Sequence, residues 1–377
     1  MKKVFVSFVL VLLALNVSFA QDSAYARQII SALSSDKMYG RGFSHRGDSI
    51  AADFLAQEMS RLGVLPLQDG YFQHYSHSCY GFDGTTSLRI NGVELEPYSQ
   101  YRVISSARGA EKLTRAQWAT KLKDGTWVFG VGSLDTYGPI VGRRSSNPVC
   151  IEVLNRLLPD YVDKVEAHIP IQYHRRYLSQ NVVGYVEGVV DTMVVFTAHY
   201  DHCGTMGDDV IFPGAHDNAS GVAAVLDLAR MATERKPYYT MVFMLFSGEE
   251  SGLLGSKYAA DNPLIDFDKV KLLCNIDMFC GGKDGLMIIN GKSESTEVFY
   301  NRLKQLSDAS SNPVFISPRD NRPNSDHWWF STLCPSIFVL TMGGPYGGYH
   351  DPDDTCSRCG LEHYVHYLSL IWQMVNL

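Results

Sequence analysis

Downstream of residue 180 the chain repeats short apolar runs of strand length, with one longer apolar segment at helical spacing among them. Apolar runs bounded by polar or glycine-bearing stretches indicate buried strands, and their alternation with helices is typical of a substantially parallel sheet. The predicted fold class is therefore α/β. The strand-like runs are 182–186, 193–197, 241–246, 272–276 and 336–340, and the helical segment is 222–231.

The pattern before residue 180 is less regular. Apolar residues recur at helical spacing over 46–62, and Gly63 follows as a helix stop, which predicts one amphipathic helix packed on the sheet. Residues 88–95 alternate around an Asn-Gly pair, which predicts a hairpin, whereas the apolar run 151–158 has a helix-like pattern.

These patterns divide the chain into parts. We expect residues 21–80 to be the N-terminal part of the main domain and residues 181–377 to be its catalytic core. The weakly patterned stretch 81–180 is expected to be an insertion or a subdomain.

The first twenty residues have the pattern of an export signal. Lys2 and Lys3 precede an apolar stretch, and small residues at Ser18 and Ala20 predict cleavage after Ala20. An uncleaved anchor is the less favoured alternative, because the stretch is shorter than the roughly 20 apolar residues that span a bilayer. We expect a chain with no membrane span after signal removal, located in the periplasm or secreted.

Charge narrows the set of partners. The 377-residue chain has 33 Lys and Arg against 40 Asp and Glu, a net charge of −7, and its residues are 45% hydrophobic. This composition suits a large folded core, and it lacks the clustered basic charge that nucleic-acid binding requires. We therefore expect no nucleic-acid partner, and the oligomeric state is left open.

Eight cysteines permit disulfides in an exported chain, but their pairing cannot be deduced from sequence. Cys356 and Cys359 form a lone C-x-x-C, for which a local disulfide or two free thiols is favoured over a zinc site.

Ionisable residues follow the predicted strands at the points where those strands end. His199 follows one strand, Glu249 and Glu250 follow another, and Asp277 follows a third. The carboxyl ends of parallel strands face one crevice, so these side chains should converge there. Two loops with neighbouring glycines add Asp217 and His350 to the set.

Two imidazoles with several carboxylates are a donor set that suits zinc, and carboxylates can bridge two ions. Asp201 is placed to accept the ring N–H of His199. The adjacent pair Glu249 and Glu250 permits one carboxylate to bind metal while the other takes a proton from water. His45, His74, His77 and His202 lack such a context and are interpreted as ordinary histidines, and the glycosylation sequon at Asn218 is not expected to carry a sugar.

Five ordered strings resemble the zinc-dependent exopeptidases, a family with double-zinc bacterial leucine aminopeptidases, glutamate carboxypeptidase, glutaminyl cyclase and the transferrin-receptor ectodomain. The resemblance runs from about Asn181 to the end of the chain and implies a mixed, largely parallel sheet of about eight strands with helices on both faces. The strings are AHYDH (198–202), HDNASG (216–221), SGEESGLLGS (247–256), NIDM (275–278) and YHDPDDT (349–355).

The resemblance also implies roles for individual residues. Asp217 would bridge two zinc ions, with His199 and Asp277 completing one set of ligands. Glu250 and His350 would complete the other set.

Three further residues would assist the reaction. Glu249 would be the general base that deprotonates the bridging water, and Tyr349 would hydrogen-bond the developing oxyanion. Asp201 would orient His199. The implied activity is aminopeptidase cleavage of peptide substrates.

The sequence leaves other functions open. A glutaminyl-cyclase-like acyltransferase or an inactive binding ectodomain is less favoured, because no expected ligand or base is missing, and a carboxypeptidase would use the same ligands. His202 and Cys203 depart from the small or apolar residues expected after the first string. An aromatic pocket for the substrate side chain is suggested by residues Trp328, Trp329, Phe330, Tyr346 and Tyr349.

Overall fold

The computed structural model describes residues 23–104, 115–134, 149–344 and 348–376, so the expected export signal lies outside the described residues. The helices are α1 (Ser23–Leu33), α2 (Gly47–Leu62), α3 (Ser220–Glu234), α4 (Leu254–Asp261), α5 (Glu297–Ala309), α6 (His327–Phe330) and α7 (Tyr364–Val375). The strands are β1 (Leu65–Pro66), β2 (Phe72–Phe82), β3 (Ser87–Ile90), β4 (Val93–Leu95), β5 (Tyr101–Ile104), β6 (Ala119–Lys121), β7 (Trp127–Val131), β8 (Cys150–Leu154), β9 (Val165–His168), β10 (Ile171–Val186), β11 (Val190–His199), β12 (Thr205–Met206), β13 (Val210–Ile211), β14 (Tyr239–Phe246), β15 (Val270–Ile276), β16 (Gly285–Ile289), β17 (Ile316–Pro318) and β18 (Ser336–Met342). Among the residues that the structure describes, none of the helices has the length and hydropathy of a membrane-spanning segment.

The largest sheet has nine strands in the order β1-β10-β14-β11-β15-β18-β16-β17, with β2 also paired to β10. Its centre, β14-β11-β15-β18, is parallel, whereas the flanking pairs β10–β14 and β16–β18 are antiparallel. The predicted mixed α/β fold is confirmed. Each predicted strand lies within β10, β11, β14, β15 or β18, and the predicted helical segment lies within α3.

Helices cover both faces of this sheet because successive strand residues point to opposite sides. In β14, Met241, Phe243 and Leu245 pack in the core that includes α1, α2, α3, α5 and α7. Val242 and Met244 pack in a second core, on the face covered by α4 and α6. The continuous apolar runs in the sequence follow from this burial on both faces.

The predicted amphipathic helix is confirmed as α2. It ends at Leu62, and Gly63 adopts a left-handed conformation (φ 81°) while its N–H reaches the carbonyls of Met59 and Ser60. Glycine adopts this conformation without a side-chain clash, which explains why the helix ends here.

β2 and β10 form a long antiparallel ribbon, paired from Phe72 with Val182 to Phe82 with Ile171. Two smaller sheets, β4-β3-β9 and β5-β8-β7-β6, occupy the chain between these two strands. The predicted hairpin is confirmed as β3–β4, with Asn91 and Gly92 both at positive φ as a tight hairpin turn requires.

The helix-like interpretation of residues 151–158 is wrong. Cys150–Leu154 form strand β8, and only a short 3₁₀ turn, Asn155–Leu157, follows. β8 lies between β5 and β7, and all five of its residues are buried. A strand buried on both faces has no polar alternation, so its apolar run resembles a buried helix.

Both expectations for the C-x-x-C pair are also wrong. Cys359 forms a disulfide with Cys280, and Cys356 is in no disulfide. The bond joins the segment after β15 to the segment before α7, two parts of the chain that only the folded sheet brings together.

Phe196 tests the packing of the central strand β11. Its side chain is fully buried, whereas that of Phe315 is 67% exposed. We expect Phe196→Ala to lower the free energy of unfolding by about 3–5 kcal/mol, through lost burial and the cavity left behind. Phe315→Ala is the matched control, and equal losses in urea denaturation for the two variants would contradict this packing.

The contact between α1 and α2 predicts a pH dependence of stability. Tyr25 donates to Glu58 (2.6 Å) and Arg61 donates twice (2.8 and 2.5 Å). Burial opposes ionisation of Glu58, but these hydrogen bonds outweigh it and lower its pKa. A lowered pKa stabilises the fold above the unfolded value of about 4.3, and that stabilisation is lost as the pH falls through the folded pKa.

We therefore expect Glu58→Gln to flatten the acid side of the stability profile, measured as urea midpoints between about pH 6 and pH 3. Glu297→Gln, at an exposed position on α5, is the control. Parallel profiles for wild type and Glu58→Gln would count against the role of this hydrogen-bonded carboxylate.

Candidate metal centre

The ionisable residues predicted to converge do so at the carboxyl ends of the parallel strands. His199 is the last residue of β11, Glu249 and Glu250 follow β14, and Asp277 directly follows β15. His350 lies in the loop after β18. The shared strand direction therefore brings together groups that are far apart in sequence.

Asp217 lies between the two histidines. Its Oδ1 is 3.4 Å from Nε2 of His199, and its Oδ2 is 3.2 Å from Nε2 of His350. The peptide bond between Asp217 and Asn218 is cis. One carboxylate thus faces both imidazoles, with one oxygen for each.

Each histidine has a second acidic neighbour. Nε2 of His199 is 3.3 Å from Oδ1 of Asp277, and Nε2 of His350 is 3.0 Å from Oε2 of Glu250. Ligand atoms of His199, Glu249 and Asp277, which we call the His199 cluster, lie within 4.8 Å of one another. The same limit holds for the His350 cluster, which consists of His202, Cys203, Glu250 and His350.

The donor set fits a metal ion. His199, Asp217, Asp277 and His350 are each at most 5% exposed, so two carboxylates are held out of water beside two imidazoles. Among the described residues Oδ1 of Asp277 makes no hydrogen bond of good geometry, and it faces Nε2 of His199 at 3.3 Å. Buried carboxylates are costly unless a cation or a hydrogen bond compensates them, and imidazole with carboxylate is a zinc donor set.

The pKa values at the centre move in opposite directions. Burial and the charge of Glu250 raise the pKa of Glu249 well above its ordinary range. Burial also opposes ionisation of Asp217, but hydrogen bonds from His199 and His350 outweigh it and lower its pKa. Of the carboxyl groups, Glu249 is therefore suited to hold a proton and Asp217 to remain charged.

Asp201 supports the centre differently from the prediction. Nδ1 of His199 lies 3.2 Å from the main-chain oxygen of Asp201, whereas the carboxylate is 3.8 Å away. That carboxylate instead accepts hydrogen bonds from the main-chain N–H groups of Glu249 (3.0 Å) and Glu250 (3.3 Å). The Asp201 carboxylate thus fixes the main chain at Glu249 and Glu250, and the Asp201 carbonyl oxygen faces the His199 ring.

Sequence reasoning missed two residues that hold the Asp217 loop. The carboxylate of Asp354 accepts hydrogen bonds from the N–H groups of His216 (2.8 Å) and Asp217 (3.0 Å). Asn218 is fully buried, accepts from the N–H of Met278, and donates to the carbonyl of Ile276. The strings DPDDT (351–355) and HDNASG (216–221) contain these residues, but nothing in the sequence indicated which main-chain groups their side chains would meet.

Two more missed residues lie beside Asp277. Ser325 donates to Oδ2 of Asp277 (2.7 Å), and Asp326 is fully buried just before α6. Burial raises the pKa of Asp326 to about 6.

The interpretation of His202 as an ordinary histidine is wrong. Its ring is buried, and its Nδ1 lies 2.8 Å from Oε1 of Glu250. The sequence showed a histidine two residues beyond Asp201, but the contact with Glu250 depends on the pairing of β11 with β14.

The suggested aromatic pocket is only partly compatible with the structure. Tyr349 is 49% exposed and stacks on the His350 ring, with centroids 3.9 Å apart. Phe330 instead packs in the core against Phe246, so its assignment to the pocket is wrong. Trp328 and Trp329 are partly buried on α6, and Tyr346 lies outside the described residues.

The fold and the centre together define an α/β protein with a candidate metal site at its strand ends. Residues 181–375, more than half of the chain, match Peptidase family M28, and the chain belongs to this family.

A probable zinc metalloprotease of Pyricularia oryzae is 38% identical over 109 residues, 27% of this chain and 20% of that protein. A probable leucine aminopeptidase of Arthroderma otae is 24% identical over 219 residues, 56% of this chain and 60% of that protein. The match therefore spans about a fifth of the length of the first curated relative and three-fifths of the length of the second. The zinc aminopeptidase BSAP from Bacillus subtilis superposes with a TM-score of 0.65 at 17% identity over 95% of each chain, which shows the shared fold.

Asp354 provides a test of the loop geometry. We expect Asp354→Ala to weaken zinc binding about 10–100-fold, because it frees the main chain that positions Asp217. Asp353→Ala is the matched control, since the Asp353 side chain is 69% exposed and pairs with Arg358 at the surface. Equal zinc affinities for the two variants, measured by competition with a chelating dye, would contradict the role of Asp354.

Proposed function

We propose that this protein is an exported zinc-dependent aminopeptidase that hydrolyses N-terminal residues from peptides. The observation that carries the proposal is Asp217, whose two oxygens face His199 at 3.4 Å and His350 at 3.2 Å. Membership of Peptidase family M28 supports metallopeptidase chemistry. The names of the matched relatives, zinc metalloprotease and leucine aminopeptidase, support this metal and this activity.

We propose that the centre holds two zinc ions. His199 and Asp277 would bind one ion, Glu250 and His350 the other, and Asp217 would bind both. Zinc at these positions would supply Lewis-acid polarisation of a carbonyl group and would make water acidic enough to lose a proton near neutral pH.

Glu249 is the proposed general base. It belongs to the His199 cluster without being one of the proposed ligands, and its raised pKa suits a carboxylate that must accept a proton. Glu249 takes a proton from the attacking water and delivers it to the leaving amine. Asp201 positions Glu249 by accepting its main-chain N–H.

Tyr349 is proposed to donate a hydrogen bond to the developing oxyanion. Its ring lies against His350 and is half exposed, so a substrate can reach it. An aminopeptidase binds the free amine of its substrate and a carboxypeptidase binds the free carboxylate, so cleavage of free-amine against N-blocked peptides distinguishes the two. The presence of both clusters disfavours a cyclase that uses one zinc ion.

We further propose that residues 1–20 are a cleaved export signal and that the mature enzyme acts in the periplasm or outside the cell. The Cys280–Cys359 disulfide supports this location, because such bonds persist in oxidising compartments. We also propose that residues 81–180 are an insertion in the peptidase domain, supported by the two small sheets between β2 and β10.

Glu249→Gln tests the proposed reaction. We expect kcat for an aminoacyl p-nitroanilide to fall about 10²–10⁴-fold, because the base is lost, while bound zinc measured by atomic absorption stays at the wild-type level. Glu297→Gln on α5 is the surface control. Full activity in Glu249→Gln would refute the assignment of the base.

Substrate class is tested on the wild-type enzyme with free-amine, N-blocked and N-terminal glutamine peptides. We expect zinc-dependent cleavage of free-amine peptides only. Cleavage of N-blocked peptides at the C-terminal residue would indicate a carboxypeptidase, and cyclisation of the glutamine peptide would indicate an acyltransferase. Inactivity toward all three would indicate a binding protein.

A further inference from the structure

Cys203 lies in the loop after β11 and is 4% exposed. Its sulfur is within 4.8 Å of a ligand atom from each of His202, Glu250 and His350. Thiolate, imidazole and carboxylate are the three protein donors that zinc takes. The proposed peptidase reaction requires no sulfur at this place, so the position of Cys203 needs its own explanation.

Apolar packing explains only one side of the Cys203 environment. The residue belongs to a core cluster that includes Met206 and Phe212, and a free cysteine often behaves as a small apolar side chain. Its sulfur also lies within 4.8 Å of a ring nitrogen of His202 and of His350. A group that only filled apolar space would not face two imidazoles and a carboxylate.

The spacing of the His350 cluster is close to that of zinc ligands. Two ligands bonded to a tetrahedral zinc ion at about 2.0 and 2.3 Å lie about 3.5 Å apart. Nε2 of His350 is 3.0 Å from Glu250 and 3.2 Å from Asp217. Cys203 lies inside the 4.8 Å limit from Glu250 and His350, so its sulfur needs to approach each of these two ligands by at most about 1.3 Å.

His202 has a different role in this cluster. Its Nδ1 is 2.8 Å from Oε1 of Glu250, while the other oxygen of that carboxylate faces His350. A histidine hydrogen-bonded to the far oxygen of a ligand orients that ligand. Cys203 is therefore the remaining donor of the cluster.

We propose that Cys203 binds zinc as a thiolate at the position formed by Asp217, Glu250 and His350. This inference rests on the proposed function for the presence of zinc, and it adds a ligand that the function does not need. The thiol proton is released to solvent when the metal binds. Asp217, Asp277, Glu250 and the Cys203 thiolate then carry four negative charges, which equal the charge of two Zn²⁺ ions.

The fourth ligand makes the two metal positions unequal. The position of Cys203 has four protein ligands, as closed zinc sites do, whereas the position of His199, Asp217 and Asp277 has three and stays open beside Glu249. We expect a chelator to remove the zinc ion at the open position at least about tenfold faster than the ion held by Cys203.

X-ray absorption spectroscopy of the two-zinc protein tests the proposal without reference to activity. We expect a sulfur shell at about 2.3 Å with an average of one sulfur for every two zinc ions. Substitution with Co²⁺ gives a second readout, because a bound thiolate adds a sulfur-to-cobalt charge-transfer band in the near ultraviolet.

The variants are Cys203→Ala and the more conservative Cys203→Ser, with Cys79→Ala as the matched control for a buried cysteine elsewhere. We expect the sulfur shell and the slowly released zinc ion to be lost in both Cys203 variants and kept in Cys79→Ala. Circular dichroism checks that each variant is folded. If the Cys203 variants do not fold, the X-ray absorption spectrum of the wild type alone decides the test.

A wild-type protein with two zinc ions and only nitrogen and oxygen ligands would overturn the proposal and leave the peptidase function standing. A sulfur shell that persists in Cys203→Ala would also overturn it. A protein that binds no zinc under any condition would instead refute the proposed function, and this inference with it.

Discussion

The rest of the centre depends on the contacts of the Asp217 carboxylate, which lies between His199 and His350. A buried carboxylate is stable only if its surroundings compensate its charge, and each oxygen here meets a different imidazole. Its backbone is fixed from two sides. Asp354 holds the N–H groups of residues 216 and 217, and the buried guanidinium of Arg41 donates to the carbonyls of Gly214 and Asp217.

The parallel strands explain why such a centre can be assembled from distant parts of the chain. The central strands end at the same edge of the sheet, so the groups that follow them are brought within hydrogen-bond distance on a rigid support. Asp201 connects two of these strand ends by accepting the N–H groups of Glu249 and Glu250. Asn218 likewise connects the Asp217 loop to the end of β15.

Much of this arrangement could be predicted from the sequence, because buried strands and the polar residues after them leave a direct pattern. The central strands and the convergence of His199, Glu250 and Asp277 were predicted in this way, and α2 was predicted from its helical spacing. Contacts made by main-chain groups left no pattern, so the roles of Asp354 and of the Asp201 carbonyl were missed. The same is true of β8, whose burial on both faces removed the alternation that identifies a strand, and of Cys359, whose partner lies 79 residues away.

Titration of the metal-free protein with zinc tests the central claim most directly, because a shared carboxylate must affect both metal positions. We expect two zinc ions to bind to the wild type, Asp217→Ala to weaken both binding steps, and Asp277→Ala to weaken mainly one. If Asp217→Ala bound two zinc ions with the affinities of the wild type, or lost only one of them, Asp217 would not be the shared ligand on which this description of the centre rests.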